Sequence, residues 1–471
     1  MSERTSDRAP AAEYAGALAL APAMESISPP EWPGARWVGA VDLRPLAHYT
    51  HLTLQNSVGY DRARLLVREG SSVRGFVEVD APGGIVSCRA LEEAAAVLPA
   101  VNSTRTAAVA PSITVVVCTR DRAAHLRSSL SAILQLDYPN FDVLVVDNAA
   151  RTTETREMVR KEFQDSRVTL ISEPVPGLSH ARNAGLRHAR GEIVAFTDDD
   201  VIVDGAWLKE IAAGFHRLPT AACVTGLVPA GELRSPTQGF FEGRVNWSST
   251  VAPRVYSLAN PPSDLPKFPF CPGAFGTGAN FALRRDVAIS MGGFDTALGV
   301  GTRTGGGEDI DMFTRVLLDG YTLVVQPSAI VWHRHRDGLK DLQVQARSYG
   351  TGLGAWLTKI LLNPHTARIA AARIPRVLWN FVRDARGSRR SGGQESALPA
   401  PWARQLAKVL LLERLSIALG PVNYLLERWG QTGQDIMSSP NTPRSAELSF
   451  IPIGEVESAW HYRFRTRFLH R

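Results

Sequence analysis

Cysteine is scarce in this chain, with four in 471 residues, at positions 88, 118, 223 and 271, and no C-x-x-C pair among them. That argues against a disulfide framework and a cysteine-ligated zinc site, and it fits a reducing compartment, so a cytoplasmic setting is expected. Apolar runs of membrane-spanning length are also missing. The longest, Val409 to Leu426, is broken by Glu413 and Arg414 and holds Gly420-Pro421, so it does not read as a bilayer-crossing helix. A cationic leader is absent as well: Glu3, Asp7 and Glu13 offset Arg4 and Arg8 ahead of the short apolar run from Ala15 to Met24, unlike a signal peptide. Lysine is rare, six among 52 basic residues, so the net charge of +6 is carried by arginine. No nucleic-acid reading module accompanies that mild excess, and no nucleic-acid partner is expected.

The remaining composition, 44% hydrophobic and 21% charged, is globular and sufficient for more than one domain. Residues 1–30, rich in Ala, Ser and Pro, read as a flexible leader. Residues 31–110 read as a small β-rich module, with short alternating segments at Ala63–Val67 and Gly75–Val79 between Gly-Ser and Pro-Gly-Gly turns, closed by a linker at Pro99–Ser112. From 111 to 348 near-continuous apolar strands alternate with helical spacing: strands at Ile113–Cys118, Val143–Val146, Val168–Ile171 and Ile193–Phe196, helices at His125–Leu136, Thr153–Phe163 and Leu178–Arg190. This is the pattern of an α/β domain with a mostly parallel, doubly wound sheet. Residues 349–471 read as a helical extension.

Ligands of such sheets bind beyond the carboxyl ends of the strands, and here each of those ends is polar. Strand one runs into Thr119-Arg120-Asp121-Arg122, strand two into Asp147-Asn148, strand three into Glu173-Pro174 and Gly177, strand four into Thr197-Asp198-Asp199-Asp200. In an extended segment Asp198 and Asp200 face the same side. Two carboxylates so close call for a cation, and a hard divalent ion, Mn²⁺ or Mg²⁺, that also holds phosphate is the simplest answer. The competing reading is an acidic turn capping the helix that starts near Ala206.

Read in order, Val115–Arg122, Val145–Asn148, Gly177-Leu178-Ser179-His180-Ala181-Arg182-Asn183-Ala184-Gly185, Phe196–Asp200, Gly276-Thr277-Gly278-Ala279-Asn280 and Gly307-Glu308-Asp309-Ile310-Asp311 resemble the motif series of the family 2 glycosyltransferases with the GT-A nucleotide-sugar fold. The resemblance runs from about Pro111 to His335. It implies that a nucleotide-diphosphate sugar is the donor and a hydroxyl the acceptor, with inversion at the transferred carbon. It also implies that Thr119, Arg120 and Arg122 line the nucleotide site and Asp147 bonds the base. Asp198 would contact ribose or sugar, and Asp200, with His333 of Trp332-His333-Arg334-His335, would bind the metal. Asn148, Gly177, Arg182, Asp199, Gly278 and Asn280 fall on the same motifs and are expected around the donor. Asp309 would be the general base and Glu308 an acceptor-holding or loop-orienting neighbour; His335 is the weaker histidine.

Gln343-Val344-Gln345-Ala346-Arg347-Ser348-Tyr349 departs from the Q-x-x-R-W motif of processive synthases, which points to single-sugar addition. Arginines 368, 373, 376, 383 and 386 interleave with Ile369, Ile374, Trp379 and Phe381, a basic amphipathic pattern suited either to packing or to peripheral contact at the inner face of the membrane. Two other functions compete. Gly299-Val300-Gly301-Thr302-Arg303 resembles the glycine-rich signature of sugar-nucleotide pyrophosphorylases, though it lies far from the first strand where that signature belongs. The other is a carbohydrate-binding scaffold that keeps the fold without the chemistry.

Overall fold

The computed structural model describes residues 16–100, 110–373, 375 and 400–437. The described residues up to Trp429 form one compact unit, and those from Gly430 to Met437 belong to a second. The linker core, most of the basic segment beyond Arg373, residues 376–399 and the tail beyond Met437 lie outside the described residues.

The first ordered element falls inside the segment read as a leader. Strand β1 (Ala17–Leu20) alternates small and apolar residues and pairs in parallel with β3 (His51–Leu54), so the ordered module begins earlier than composition suggests. With β2 (Trp37–Asp42), β4 (Arg62–Glu69), β5 (Ser72–Asp80) and β6 (Ile85–Ser87) these strands form two three-stranded sheets, β1-β3-β6 and β2-β4-β5. Helix α1 (Cys88–Ala95), capped by the Ser87 side chain, closes a core around Trp37, Leu52, Leu65 and Leu91. The opposite side of this module packs Met24, Val38 and Leu66 on Leu227, Leu233, Ile330 and Trp332 of the following domain. Arg68 adds a 2.7 Å ion pair with Asp204.

The next elements in order are β7 (Ile113–Thr119), α2 (Ala123–Leu134), β8 (Phe141–Asn148), α3 (Glu154–Glu162), β9 (Val168–Glu173), α4 (Leu178–His188), β10 (Ile193–Thr197), β11 (Val201–Val203), α5 (Trp207–His216) and β12 (Ala221–Leu227). After α6 (Pro236–Glu242) come β13 (Arg254–Tyr256), β14 (Asn280–Arg284), α7 (Arg285–Ser290), α8 (Glu308–Leu318) and β15 (Thr322–His333). The sheet runs β11-β15-β12-β14-β10-β7-β8-β9, with β13 added on β15. All four strands read from sequence pair in parallel in the block β10-β7-β8-β9. The antiparallel pairs come from β11, β13 and β14, short strands that the apolar pattern did not mark. Helices cover both faces. Leu126, Leu130, Trp207 and Ile211 pack on one face, and Ala181, Met312, Phe313 and Val316 on the other, which is why the strands between them are apolar throughout.

β15 is twelve residues long. Its first half pairs in parallel with β12, the register shifts between Gly226 and Leu227, and its far end pairs with β11, setting His333 opposite Val201. That carries His333 to the acidic turn after β10.

The extension begins with α9 (Leu339–Leu362), continues in α10 (Pro364–Ala371), and returns in α11 (Ala400–Ile417) and α12 (Gly420–Met437). Gly350 and Gly354 let the α11 backbone come close: a Cβ at either would stand 2.1 Å from the carbonyl oxygen of Glu413 or Ile417. No single described helix is long and apolar enough to cross a membrane.

Candidate active site

The site is built at the carboxyl ends of β7, β8 and β10, where the parallel strands stop and their last side chains are polar. After Thr197 the chain turns through Asp198, Asp199 and Asp200 before β11. The turn is pinned from beneath by Ser129 of α2, whose hydroxyl donates to the carbonyls of Asp199 (2.9 Å) and Val201 (2.7 Å) and accepts from the Val201 N–H (3.2 Å). Ser129 carried no motif signal; its helix phase alone, buried among Leu126, Leu130 and Ile133, could have found it. Asp199 points inward, accepting from Thr119 Oγ1 (2.7 Å) and pairing with Arg122. Arg122 also donates to Asp200 (2.8 Å). Thr119, Arg122 and Asp199 therefore shape the acidic turn, and the helix-capping alternative is not realised: Asp204, not these aspartates, accepts from the Ala206 N–H.

Carboxylate oxygens of Asp198 and Asp200 and a ring nitrogen of His333 all lie within 4.8 Å of one another. His333 Nε2 stands 3.3 Å from Asp200 Oδ1. Burial drives the Asp198 and Asp199 carboxyls up to about 6, with the Asp200 charge adding to it, while Arg182 restrains Asp198 and Arg122 restrains Asp199. For Asp200 burial pushes the same way, but His333 and Arg122 outweigh it and hold that carboxyl well below the usual range. Burial alone would lower His333, but the charge and hydrogen bond of Asp200 together with the Asp198 charge outweigh it, and His333 is raised. Two carboxylates and an imidazole are a donor set suited to a divalent ion such as Mn²⁺. Such an ion would neutralise the negative charge that adds to burial in raising Asp198.

The second acidic group sits at the start of α8. Gly307, with φ of 99°, precedes Glu308 and Asp309. Asp309 Oδ2 accepts from the Gly278 N–H (2.7 Å) and Oδ1 from the Ile310 N–H (2.8 Å). Arg182, 3% exposed, joins the two acidic groups: it donates to Glu308 (2.9 Å) and the Gly278 carbonyl (3.0 Å) and lies 3.9 Å from Asp198. Burial, reinforced by Asp309, pushes Glu308 up to about 7 against the pull of Arg182. A Cβ at Gly278 would stand 2.8 Å from Arg182 Nη2 and 3.2 Å from Asp309 Oδ2, so only glycine leaves both in place.

Several residues expected around the donor are framework instead. Asn280 is fully buried with every polar atom used: Nδ2 donates to the carbonyls of Leu227 (3.0 Å) and Ala329 (2.8 Å), and Oδ1 accepts from Trp207 Nε1 (2.9 Å). It ties β14 to β12, β15 and α5, and its full burial keeps it from a ligand. Asn280→Ala orphans three buried groups and is expected to lower stability by about 3 kcal/mol, read as a drop in urea midpoint at unchanged m-value. Asn148 is likewise consumed, donating to the carbonyls of Glu173 and Val175 and accepting from the Gly177 N–H, so it and Gly177 brace the β9–α4 loop. His335 lies apart from the metal cluster, 2.9 Å from Glu242. The Gly299–Arg303 run forms the loop before α8 rather than the turn after β7.

What stays open is a smaller set. Asp147 is 1% exposed and its Oδ1 has no hydrogen-bond partner; burial raises its carboxyl. Arg120 is half-buried and no hydrogen bond or ion pair engages its side chain among the described residues. With Asp198, Asp200, His333 and Asp309 these are the groups free to meet ligand.

The family described as Glycosyl transferase family 2 matches residues 114–291. The succinoglycan biosynthesis protein ExoM of Rhizobium meliloti is 32% identical over 222 residues, 46% of this chain and 64% of that protein. The pre-mycofactocin glycosyltransferase of Mycobacterium tuberculosis is 25% identical over 239 residues, half of this chain and 46% of that one. The chain spans 24% and 16% of the length of two further relatives, an uncharacterized Sinorhizobium fredii protein and the O-antigen biosynthesis protein RfbC of Myxococcus xanthus. Among solved structures, a mannosyltransferase from Pyrobaculum calidifontis in complex with GDP-Man and Mn²⁺ aligns over 70% of this chain and 88% of its own at 21% identity, with a TM-score of 0.40. The segment from β7 to α7, which carries the acidic turn after β10, is thus similar to glycosyl transferase family 2.

Proposed function

We propose that the protein transfers one sugar, with inversion, from a nucleotide-diphosphate sugar to a hydroxyl acceptor in the assembly of a cell-envelope polysaccharide or glycolipid, on the cytoplasmic side. The observation that carries this is the pairing of two acidic groups across Arg182: the Asp198–Asp200–His333 cluster, which suits a metal-bound diphosphate, and Asp309, which suits a proton acceptor. Asp198, Asp200 and His333 would hold Mn²⁺ or Mg²⁺, which supplies charge stabilisation to the departing diphosphate. Arg120 meets the phosphates, and the unpartnered Asp147 oxygen accepts from the base. Asp309 takes the acceptor's proton, which raises the nucleophilicity of that oxygen as the donor bond breaks. Arg182 and Glu308 hold the two groups in register.

A thermal-shift panel of UDP-, GDP- and dTDP-sugars, each with Mn²⁺ or with chelator, tests the reading, since a ligand of the folded state raises apparent stability by mass action. A metal-dependent shift with one nucleotide class supports it; no shift with any of them counts against it. Asp147→Ala removes a hydrogen bond from a charged acceptor, so nucleotide affinity should fall roughly ten- to a hundredfold. Titration calorimetry with the free nucleoside diphosphate measures this, and an unchanged affinity would remove Asp147 from the base site.

A further inference from the structure

The last two helices carry a surface that the transfer chemistry does not use. Leu411 and Leu415 of α11 and Val422, Leu425, Leu426 and Trp429 of α12 are all exposed, Leu415 by 62% and Trp429 by 78%. Their spacings, four residues on α11 and three, four and seven on α12, set each group on one helix face. The other faces are occupied: Leu406, Val409 and Ser416 are buried in the protein, as is Tyr424. Asn423 donates to the Arg303 carbonyl (2.9 Å) and Glu427 accepts from the Arg303 N–H (3.1 Å). The apolar face is therefore not the packing face.

Charge identifies what would cover it. Arg404 and Lys408 continue the Leu411–Leu415 stripe at helical spacing, and Arg414 flanks it; all three are exposed and none has a side-chain partner among the described residues. The only acids on the described parts of these helices up to Trp429 are neutralised, Glu413 by Arg244 (3.0 Å) and Glu427 by the Arg303 loop. A leucine face with a terminal tryptophan, bordered by unpaired cations, is complementary to the interface of an anionic bilayer, where indole sits at headgroup depth. The two apolar stretches, Arg404–Ile417 and Gly420–Gln431, meet at a 51° bend. Each alone is about 20 Å long at 1.5 Å per residue, short of the hydrocarbon core, and although the pair together reaches spanning length, the inner face of each helix is held in the protein, so they suit lying in the interface.

We propose that the α11–α12 face docks the protein on an anionic membrane surface, and that through Arg303 it brings the glycine-rich loop before Asp309 to that surface. The acceptor side of the site then faces the bilayer. Docking itself does not depend on the transferase reading; the consequence for the acceptor does.

Vesicle flotation of the full chain tests it, with phosphatidylcholine alone and with 30 mol% phosphatidylglycerol (about the anionic content needed for basic interfacial helices). The protein is expected to float with the anionic vesicles and not the neutral ones. Leu415→Glu/Leu426→Glu should reduce flotation at least about tenfold, and Val58→Glu, an exposed apolar position on the N-terminal module, should not. Arg404→Glu/Lys408→Glu, which leaves every apolar residue in place, should reduce it as well, so the outcome does not rest on one variant's folding. The proposal is overturned if wild type fails to float, if both double variants float like wild type, or if bound protein resists carbonate extraction. Light scattering that shows a wild-type dimer split by Leu415→Glu/Leu426→Glu would also overturn it, assigning the face to a second copy. Nucleotide-induced thermal shifts on the same samples separate the two ideas: lost flotation with intact donor binding sinks only the docking, and the reverse sinks only the transferase reading.

Discussion

Asp309→Asn is expected to lower turnover by at least about a hundredfold, about 2.7 kcal/mol of barrier, while donor affinity stays near wild type and stability falls by only about 1 kcal/mol. The assignment turns on which of two adjacent carboxyls can accept a proton. Glu308 is buried, bound to Arg182 and pushed up to about 7 by burial and by Asp309. Asp309 is half-buried, and each of its oxygens accepts a single backbone N–H, from Gly278 and Ile310. A carboxylate oxygen has two lone pairs, so Asp309 retains acceptor capacity while its orientation is fixed. An asparagine keeps the shape but has no basic oxygen, and its NH2 leaves one of the two backbone N–H groups without an acceptor, the source of the small stability loss. Single-turnover kinetics beside donor titration separate the base role from binding. Full activity in the variant would move the base elsewhere, and Glu308→Gln would be the next substitution. If Glu308 instead acts only as the anchor of Arg182, that second variant should weaken donor affinity more than turnover.

The sequence made the parallel half of the sheet legible because β7 to β10 are covered on both faces and so must be apolar without interruption. β11, β13 and β14 escaped, being three to five residues long and set by antiparallel pairing with distant segments. Motif order located the acidic turn and the start of α8. What it could not do was separate ligand from framework within a motif. Asn280 and Asn148 occupy motif positions for the same reason Gly278 does: they hold the loops that carry the reactive groups. Whether an amide such as that of Asn280 faces a ligand or two backbone carbonyls and an N–H depends on where β12, β15 and α5 arrive, and no local pattern encodes that. Arg182 is the intermediate case. Its helix position suggested the crevice, but its bridging of Asp198 and Glu308 required the fold. The N-terminal module shows the same limit at larger scale, since its docking on Ile330 and Trp332, next to His333, joins residues some three hundred positions apart.

Asp200→Ala should abolish the metal-dependent part of donor binding and lower turnover on the order of a hundred- to a thousandfold, the scale of several kcal/mol that a metal contributes to a departing diphosphate. The structure predicts a companion effect that a simple unfolding would not give. Asp200 is the principal group raising His333 and one that raises Asp198 and Asp199. Its removal should therefore bring the His333 imidazole down toward neutrality at physiological pH and let Asp198 ionise more readily, both measurable by NMR titration. The fold should persist in metal-free buffer, because Arg122 keeps Asp199 and Ser129 keeps the turn. Asp198→Ala provides the contrast: it removes a metal ligand but leaves the Asp200–His333 pair intact, so His333 should stay raised. Loss of Mn²⁺-dependent nucleotide binding in both variants, with His333 lowered only in Asp200→Ala, would assign all three residues to one metal site. Retention of that binding in Asp200→Ala would instead mean that the metal is held elsewhere and that the acidic turn serves Arg122.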